Sequence, residues 1–324
     1  MTAFTDRSVW DARGMDLRDR PRAALGVWPT PLQDVDGLWM KREDLSGFGF
    51  GGNKVRKLEF LLGAAVAEGK THVVTFGALQ SNHVRATAAA CARLGLHLDA
   101  VAVQAVPRDD PDYLGSGNAL LTELYGADRH VVPDDDAAGA LALHLLEQHG
   151  DALAIVMPGG SDRIGAIGHV DSALELYSQL EFDPREVVVA ASTCGTMAGL
   201  VLGLAAADVD TVVRGVCVYH SREQTEATLR DLLAQTAEEL GVAVPDDDRW
   251  ILDDSQFGDG YGIPTAAGLA EIHRLATTAG ITLDPVYTAK AYAAIPRDPA
   301  LRRSTVFLHT GGGPSLFAYR SALA

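Results

Sequence analysis

Along this 324-residue chain, short apolar runs rich in β-branched residues alternate with longer segments whose apolar residues recur every three or four positions. The runs THVVTF (71–76), LDAVAV (98–103), ALAIVM (152–157), EVVVA (186–190), TVVRGVCV (211–218) and STVFLH (304–309) read as buried strands. The segments 54–68, 81–94, 137–148, 164–180, 196–206, 222–240 and 264–278 follow the helical period. Such alternation predicts an α/β fold with mostly parallel, twisted sheets flanked by helices. The acidic stretches RDDPD (108–112) and PDDDA (133–137) read as solvated turns, and there is no internal repeat or low-complexity tract.

The most informative segment is SGFGFGGNKVRKLEFLL (46–62). Leu58, Leu61, Leu62 and Ala65 fall at helical spacing, so a helix is expected to start near Asn53 as its N-cap. Its first turn then carries Lys54, Arg56 and Lys57, three cations where the helix dipole prefers negative charge. An anion bound there resolves the conflict, and Lys54 and Lys57, three apart, share a face. A dinucleotide loop is disfavoured because no proper strand leads into GFGFGG, and Val55 after Lys54 breaks the Walker pattern. The plainer alternative is a tight glycine loop.

Two further glycine-rich segments follow strands. STCGTMAGLVLG (192–203) leads into an apolar helix and could present backbone N–H groups, with the hydroxyls of Thr193 and Thr196, to a phosphate. A close helix–sheet crossing would also need these small residues. Cys194 reads as a loop residue rather than a reactive thiol. In TGGGPSLFAY (310–319), Thr310 ends a strand and Pro314 suits the start of a helix. In GALQSNHVRATAAAC (77–91), Ser81 is a natural N-cap, and the stretch from Gly77 through Gln80 to Asn82 could receive a carboxylate on its backbone.

Composition narrows the function classes. Acidic residues outnumber basic ones 43 to 27, giving a formal charge of −16 that disfavours a nucleic-acid partner. Cys91, Cys194 and Cys217 are odd in number and widely spaced, so neither a disulfide framework nor a zinc cluster is indicated, and no metal is expected. Reduced thiols suggest the cytoplasm. The polar N-terminus has no apolar signal region, and no apolar run approaches membrane-spanning length, so no membrane association is expected.

Taken together, GGNKVRKLEF, GALQSNHVRATAAA, PGGSDRIGAIGHVDSALEL, STCGTMAGL, GYGIP, LDPVYTAKA and HTGGGPSLFAY resemble the D-cysteine desulfhydrase / 1-aminocyclopropane-1-carboxylate deaminase family, from about Pro29 to the C-terminus. The resemblance implies a fold-type II pyridoxal-phosphate enzyme, similar to the tryptophan synthase β subunit. It implies a large cofactor-binding domain (1–52 and 166–324), a small domain (53–165), an active site between them and a homodimer. It assigns the Schiff base to Lys54, a place near the phosphate to Lys57, the phosphate loop to Thr193, Cys194, Gly195 and Thr196, and the cofactor's 3′-oxygen to Asn82. Ser81 and His83, with Gln80 and Asn82, match substrate-binding positions, and Ser81 or the freed Lys54 is the expected base. Tyr261 and Tyr287 match catalytic tyrosines of the reacting face. The deaminases carry Glu where this chain has Thr288, so a hydroxyl, from Thr310 or Thr288, is expected at the pyridine nitrogen. That favours α,β-elimination on a small β-substituted amino acid, D-cysteine first, giving pyruvate, ammonia and sulfide. L-cysteate sulfo-lyase, the cyclopropane deaminase and a cofactor-binding protein without turnover are the alternatives.

Overall fold

The computed structural model describes Leu17 and residues 19–323, so most of the polar N-terminal stretch lies outside the described residues. Ten strands form two sheets: β1 (Leu32–Val35), β2 (Leu38–Lys41), β3 (His72–Ala78), β4 (His97–Val103), β5 (Asp128–Val132), β6 (Leu153–Val156), β7 (Glu186–Ala191), β8 (Val212–Cys217), β9 (Trp250–Asp253) and β10 (Thr305–Leu308). The larger sheet has the order β1-β2-β10-β7-β8-β9 and the smaller one β5-β4-β3-β6. Every pairing is parallel except the β1–β2 hairpin, whose tight turn at Asp36 and Gly37 reverses the chain.

Period-2 alternation sends each central strand's side chains into two cores. Val187 and Val189 join one cluster with the helices Arg163–Gln179 and Gly195–Ala206, while Val188 faces the opposite cluster with Leu283 and Tyr292. In the smaller sheet Val73, Leu98 and Ala100 pack on one face, and Val74, Val101 and Val103 on the other. Each fully buried Val or Leu contributes roughly 1.5–3 kcal/mol, so both sheets are held by helices on both faces. Among the described residues, no helix is long and apolar enough to cross a membrane.

The apolar runs of the sequence coincide with β3, β4, β6, β7, β8 and β10. The other four strands escaped the pattern. The edge strand β5 reads DRHVV and is half exposed, and β1, β2 and β9 have only four residues each. The helix after the glycine loop spans Lys54–Ala67, but Asn53 does not cap it. Asn53 has helical backbone angles, and its Nδ2 instead donates to Thr196 Oγ1 at 2.8 Å. Pro314 likewise precedes its short helix, Ser315–Ala318, rather than opening it.

Candidate active site

Parallel sheets present their strand C-termini to ligands, and here β3, β7 and β10 all end on one cavity of about 330 Å³. Lys54, Lys57, Ser81, Asn82, His83, Thr193, Cys194, Gly195, Thr196, Tyr261, Tyr287 and Thr310 line it, together with Pro158, Gly159 and the helix start at Asp134 and Asp135.

One wall is a cradle of donors. The loop after β7 turns into the 12-residue helix Gly195–Ala206 through Cys194, which has a φ of +58°, and Gly195 N donates to the Thr193 carbonyl and to Ser161 Oγ. Thr193 Oγ1 and Ser161 Oγ are bonded at 2.7 Å. Lys57 Nζ donates to Ser161 Oγ (2.9 Å) and to the Gly159 carbonyl (3.0 Å). A Cβ at Gly195 would lie 2.7 Å from Ser161 Oγ and 2.8 Å from Lys57 Nζ, so glycine leaves both groups room beside the loop. Cys194 itself is buried, its Sγ turned to the Ser192 and Thr225 carbonyls, and burial pushes the thiol up to about 12. It contributes backbone shape rather than a reactive sulfur.

Lys54 projects from the helix end into the cavity, and its amine makes no hydrogen bond to the described residues. Burial lowers it to about 8, with Asp284 opposing the shift. Burial, reinforced by the Lys54 charge, pushes Lys57 far down as well. Neither lysine forms an ion pair with a carboxylate of the described residues. Arg56 is different. A residue two positions from Lys54 points about 200° away, and the Arg56 guanidinium enters the protein, where it meets Glu43 at 2.7 Å and Glu175 at 2.7 Å and covers the Trp28 ring at 3.9 Å. Of the three cations of the first turn, Arg56 is neutralised by the protein, and the two lysines line the cavity.

Opposite the cradle, the β3 loop supplies polar groups. Ser81 Oγ accepts from Val84 N and caps the helix Asn82–Leu94, as expected. Asn82 Oδ1 accepts from Asn118 Nδ2 (2.9 Å), which leaves the Asn82 amide to donate into the cavity. His83 Nε2 pairs with Thr75 Oγ1 at 2.9 Å, and burial next to two lysines pushes its pKa far down, so the imidazole is neutral. Gln80 does not reach the cavity. Its amide bonds the Tyr113 and Ser116 carbonyls and accepts from Asn118 N, because the Ser81 cap turns residue 80 backwards. Its role is to brace the loop that holds Asn82.

The remaining wall carries a hydroxyl pair, Tyr261 and Tyr287, 2.7 Å apart. Burial raises Tyr261 to about 12 and Tyr287 well above its ordinary value, so both are protonated. Asp284 fixes Tyr287 by accepting from the amides of Val286, Tyr287 and Thr288. Lys290 donates to the Phe257 and Gly260 carbonyls and so pins the loop carrying Tyr261. Thr288 is spent on Asp284, its hydroxyl 2.6 Å from Oδ2, and does not line the cavity. The hydroxyl left at the end of β10 is that of Thr310. Sequence reasoning missed Gly159, Ser161, Asn118, Asp284 and Lys290; for the first two the signal was the PGGS turn after β6.

Residues 23–311 match the model of a family described as pyridoxal-phosphate dependent enzyme. Proteins named D-cysteine desulfhydrase from Salmonella paratyphi A and from Salmonella newport strain SL254 are each 38% identical over 318 residues, covering 92% of this chain and 96% of theirs. A crystal structure described as an ACC deaminase homologue superposes with a TM-score of 0.84 at 32% identity, covering 98% of this chain and 97% of that one. The processed form of threonine deaminase isoform 2 from Solanum lycopersicum shares the fold at 19% identity, with a TM-score of 0.64 over 93% of this chain and 84% of its own.

Proposed function

The chain belongs to the pyridoxal-phosphate dependent enzymes, and from that premise we propose that it eliminates hydrosulfide from D-cysteine, leaving pyruvate and ammonia after hydrolysis. The carrying observation is that one cavity joins a donor-lined anion cradle, an unpaired lysine amine and a tyrosine hydroxyl pair. The residues present fit the cofactor. Lys57 lies against the start of the helix Gly195–Ala206, whose dipole favours a phosphate dianion, and Lys54 lines the same cavity. In this reading Thr193 through Thr196, Lys57 and Ser161 hold the phosphate, the Asn82 amide donates to the ring oxygen, and Thr310 meets the ring nitrogen. Lys54 is the covalent anchor.

Bound there, pyridoxal phosphate withdraws electrons from the α-carbon of an amino acid. The protein supplies the rest. The helix start at Ser81 and Asn82 receives the substrate carboxylate, with neutral His83 behind it. Lys54, whose lowered pKa leaves part of it neutral near pH 7–8, takes the α-proton, as Ser81 could in its place. The released pair forms the Cα–Cβ double bond as hydrosulfide leaves Cβ. The protonated Tyr261–Tyr287 pair can give the departing sulfur a proton. A hydroxyl at the ring nitrogen holds no proton there as a carboxylate would, which suits a reaction whose leaving group drains the electrons. The test is a product assay: D-cysteine should yield pyruvate and sulfide in equal amounts. Sulfite from L-cysteate, or α-ketobutyrate from the cyclopropane amino acid, as the dominant product would replace this assignment.

Gly159→Ala should weaken cofactor binding about tenfold without unfolding the protein. Gly159 has a φ of +68°, and a Cβ there would lie 2.2 Å from Thr193 Oγ1. The left-handed conformation alone costs about 1–2 kcal/mol for alanine, and the displaced Thr193 loses its place in the cradle. Titration of the apoenzyme with cofactor, beside a circular dichroism spectrum, checks both halves. The division into a large (1–52 and 166–324) and a small domain (53–165) belongs to the same proposal and is supported by the two separate sheets. So do a cytoplasmic location, supported by three unpaired buried cysteines, and a homodimer, testable by gel filtration.

A further inference from the structure

At the opposite end of β4 from the cavity lies a second constellation. β4 and β5 run parallel with Asp99 opposite Asp128, and β3 places His72 opposite His97. Alternate residues of a strand share a face, so His97 and Asp99 lie beside Asp128 and His130. His97 Nε2 is 3.3 Å from Asp128 Oδ2 and 3.6 Å from Asp99 Oδ2, and the three ligand atoms lie within 4.8 Å of one another.

Asp99 is 5% exposed, and its Oδ2 is buried without a hydrogen-bond partner. Its other oxygen is held by His130 Nε2 at 2.8 Å, which aims Oδ2 at His97. A protonated imidazole between two carboxylates would close to hydrogen-bond length, about 2.7–2.9 Å. Tetrahedral zinc, with bonds of 2.0–2.2 Å, separates its ligand atoms by about 3.3–3.6 Å. One imidazole and two carboxylates suit zinc better than calcium or magnesium, which prefer oxygen alone.

We propose that His97, Asp99 and Asp128 form a zinc site that staples the edge strand β5 to β4, with His130 orienting the Asp99 carboxylate. His72 and His149 stack on each other at 4.0 Å beside it and are not ligands. Val103, which lines the cavity, lies four strand steps from Asp99 and six from His97, roughly 13–20 Å, so the metal stabilises the sheet without entering the reaction.

The experiment uses the holoenzyme, stripped with EDTA, supplied with zinc chloride and passed through gel filtration. One retained zinc per chain by elemental analysis and a zinc-dependent rise in melting temperature are expected. His97→Ala and Asp128→Asn, both at exposed side chains, should lose both effects and keep turnover. His130→Ala should weaken zinc about 10–100-fold, and His149→Ala should change nothing. No retained zinc in the wild type, or retention unchanged in His97→Ala and Asp128→Asn, overturns the assignment. So does loss of zinc in His149→Ala.

Discussion

Lys54→Ala is expected to abolish turnover and the visible absorbance of covalently held cofactor. The same amine anchors the cofactor and accepts the proton in the proposed reaction, so its loss removes two functions together, roughly 10⁴-fold or more in rate. Lys54→Arg should fail equally, since a guanidinium keeps the charge yet is neither nucleophile nor base at neutral pH. The pair separates the amine's chemistry from its charge. Absorbance after gel filtration and a pyruvate assay are the measurements, and product formation at wild-type rate by either variant would sink the role. A pH dependence follows from the same geometry. Burial lowers Lys54 to about 8, so the reactive neutral amine grows as pH rises toward that value, and covalent capture of cofactor by the apoenzyme should accelerate through about pH 8 and then level off.

The second large effect concerns stability. Arg56→Ala should destabilise the fold by about 3–5 kcal/mol, because it strands the buried Glu43 carboxylate. Arg56 and Glu43 are both fully buried, joined by two hydrogen bonds of 2.7 and 2.9 Å, and Glu175 and Lys41 extend the network through Thr30. Burial opposes the carboxylate charge of Glu43, but Arg56 overcomes it and holds Glu43 below its ordinary value. Its contribution is therefore complete above the ordinary carboxylate pKa of about 4.3 and disappears as pH falls through the lower folded value. Denaturant unfolding of wild type and variant at pH 7 and in acid measures both; equal midpoints at pH 7 would contradict the network's role. A replacement of the whole network by apolar residues need not be destabilising.

How much of this could be read from the chain depended on periodicity. β7 and β3 are buried on both faces and announce themselves as continuous apolar runs, whereas β5 covers one face only and mixes Asp128, Arg129 and His130 into its five residues. The cations near Asn53 were legible as a cluster, but their directions were not. The 100° step between helical neighbours sends Lys54 and Lys57 to the cavity and Arg56 to Glu43, which lies eleven residues before the helix. The same limit applied to Gln80 and Thr288, whose neighbours Ser81 and Tyr287 reach the cavity while they themselves turn to the supporting loops. Lys290 serves the site from a distance and has no local signature, because its partners Phe257 and Gly260 come from another segment, whereas Asp284 braces the turn that immediately follows it. His97, Asp99 and Asp128 were hidden for a related reason: strand register, not spacing along the chain, brings them together.

Cys194 lines the cavity at the donor-rich loop with its sulfur directed into the protein and its proton held tightly. Hydrosulfide adds no sulfur to a thiolate by itself, but once an oxidant such as dioxygen has turned it into polysulfide, exposed thiolates take up sulfur as persulfides. Cys91, driven to about 12 by burial, and Cys217, also raised, offer no better target. All three thiols are thereby kept protonated and out of reach, and alkylating reagents that report on accessible thiolates should leave turnover untouched.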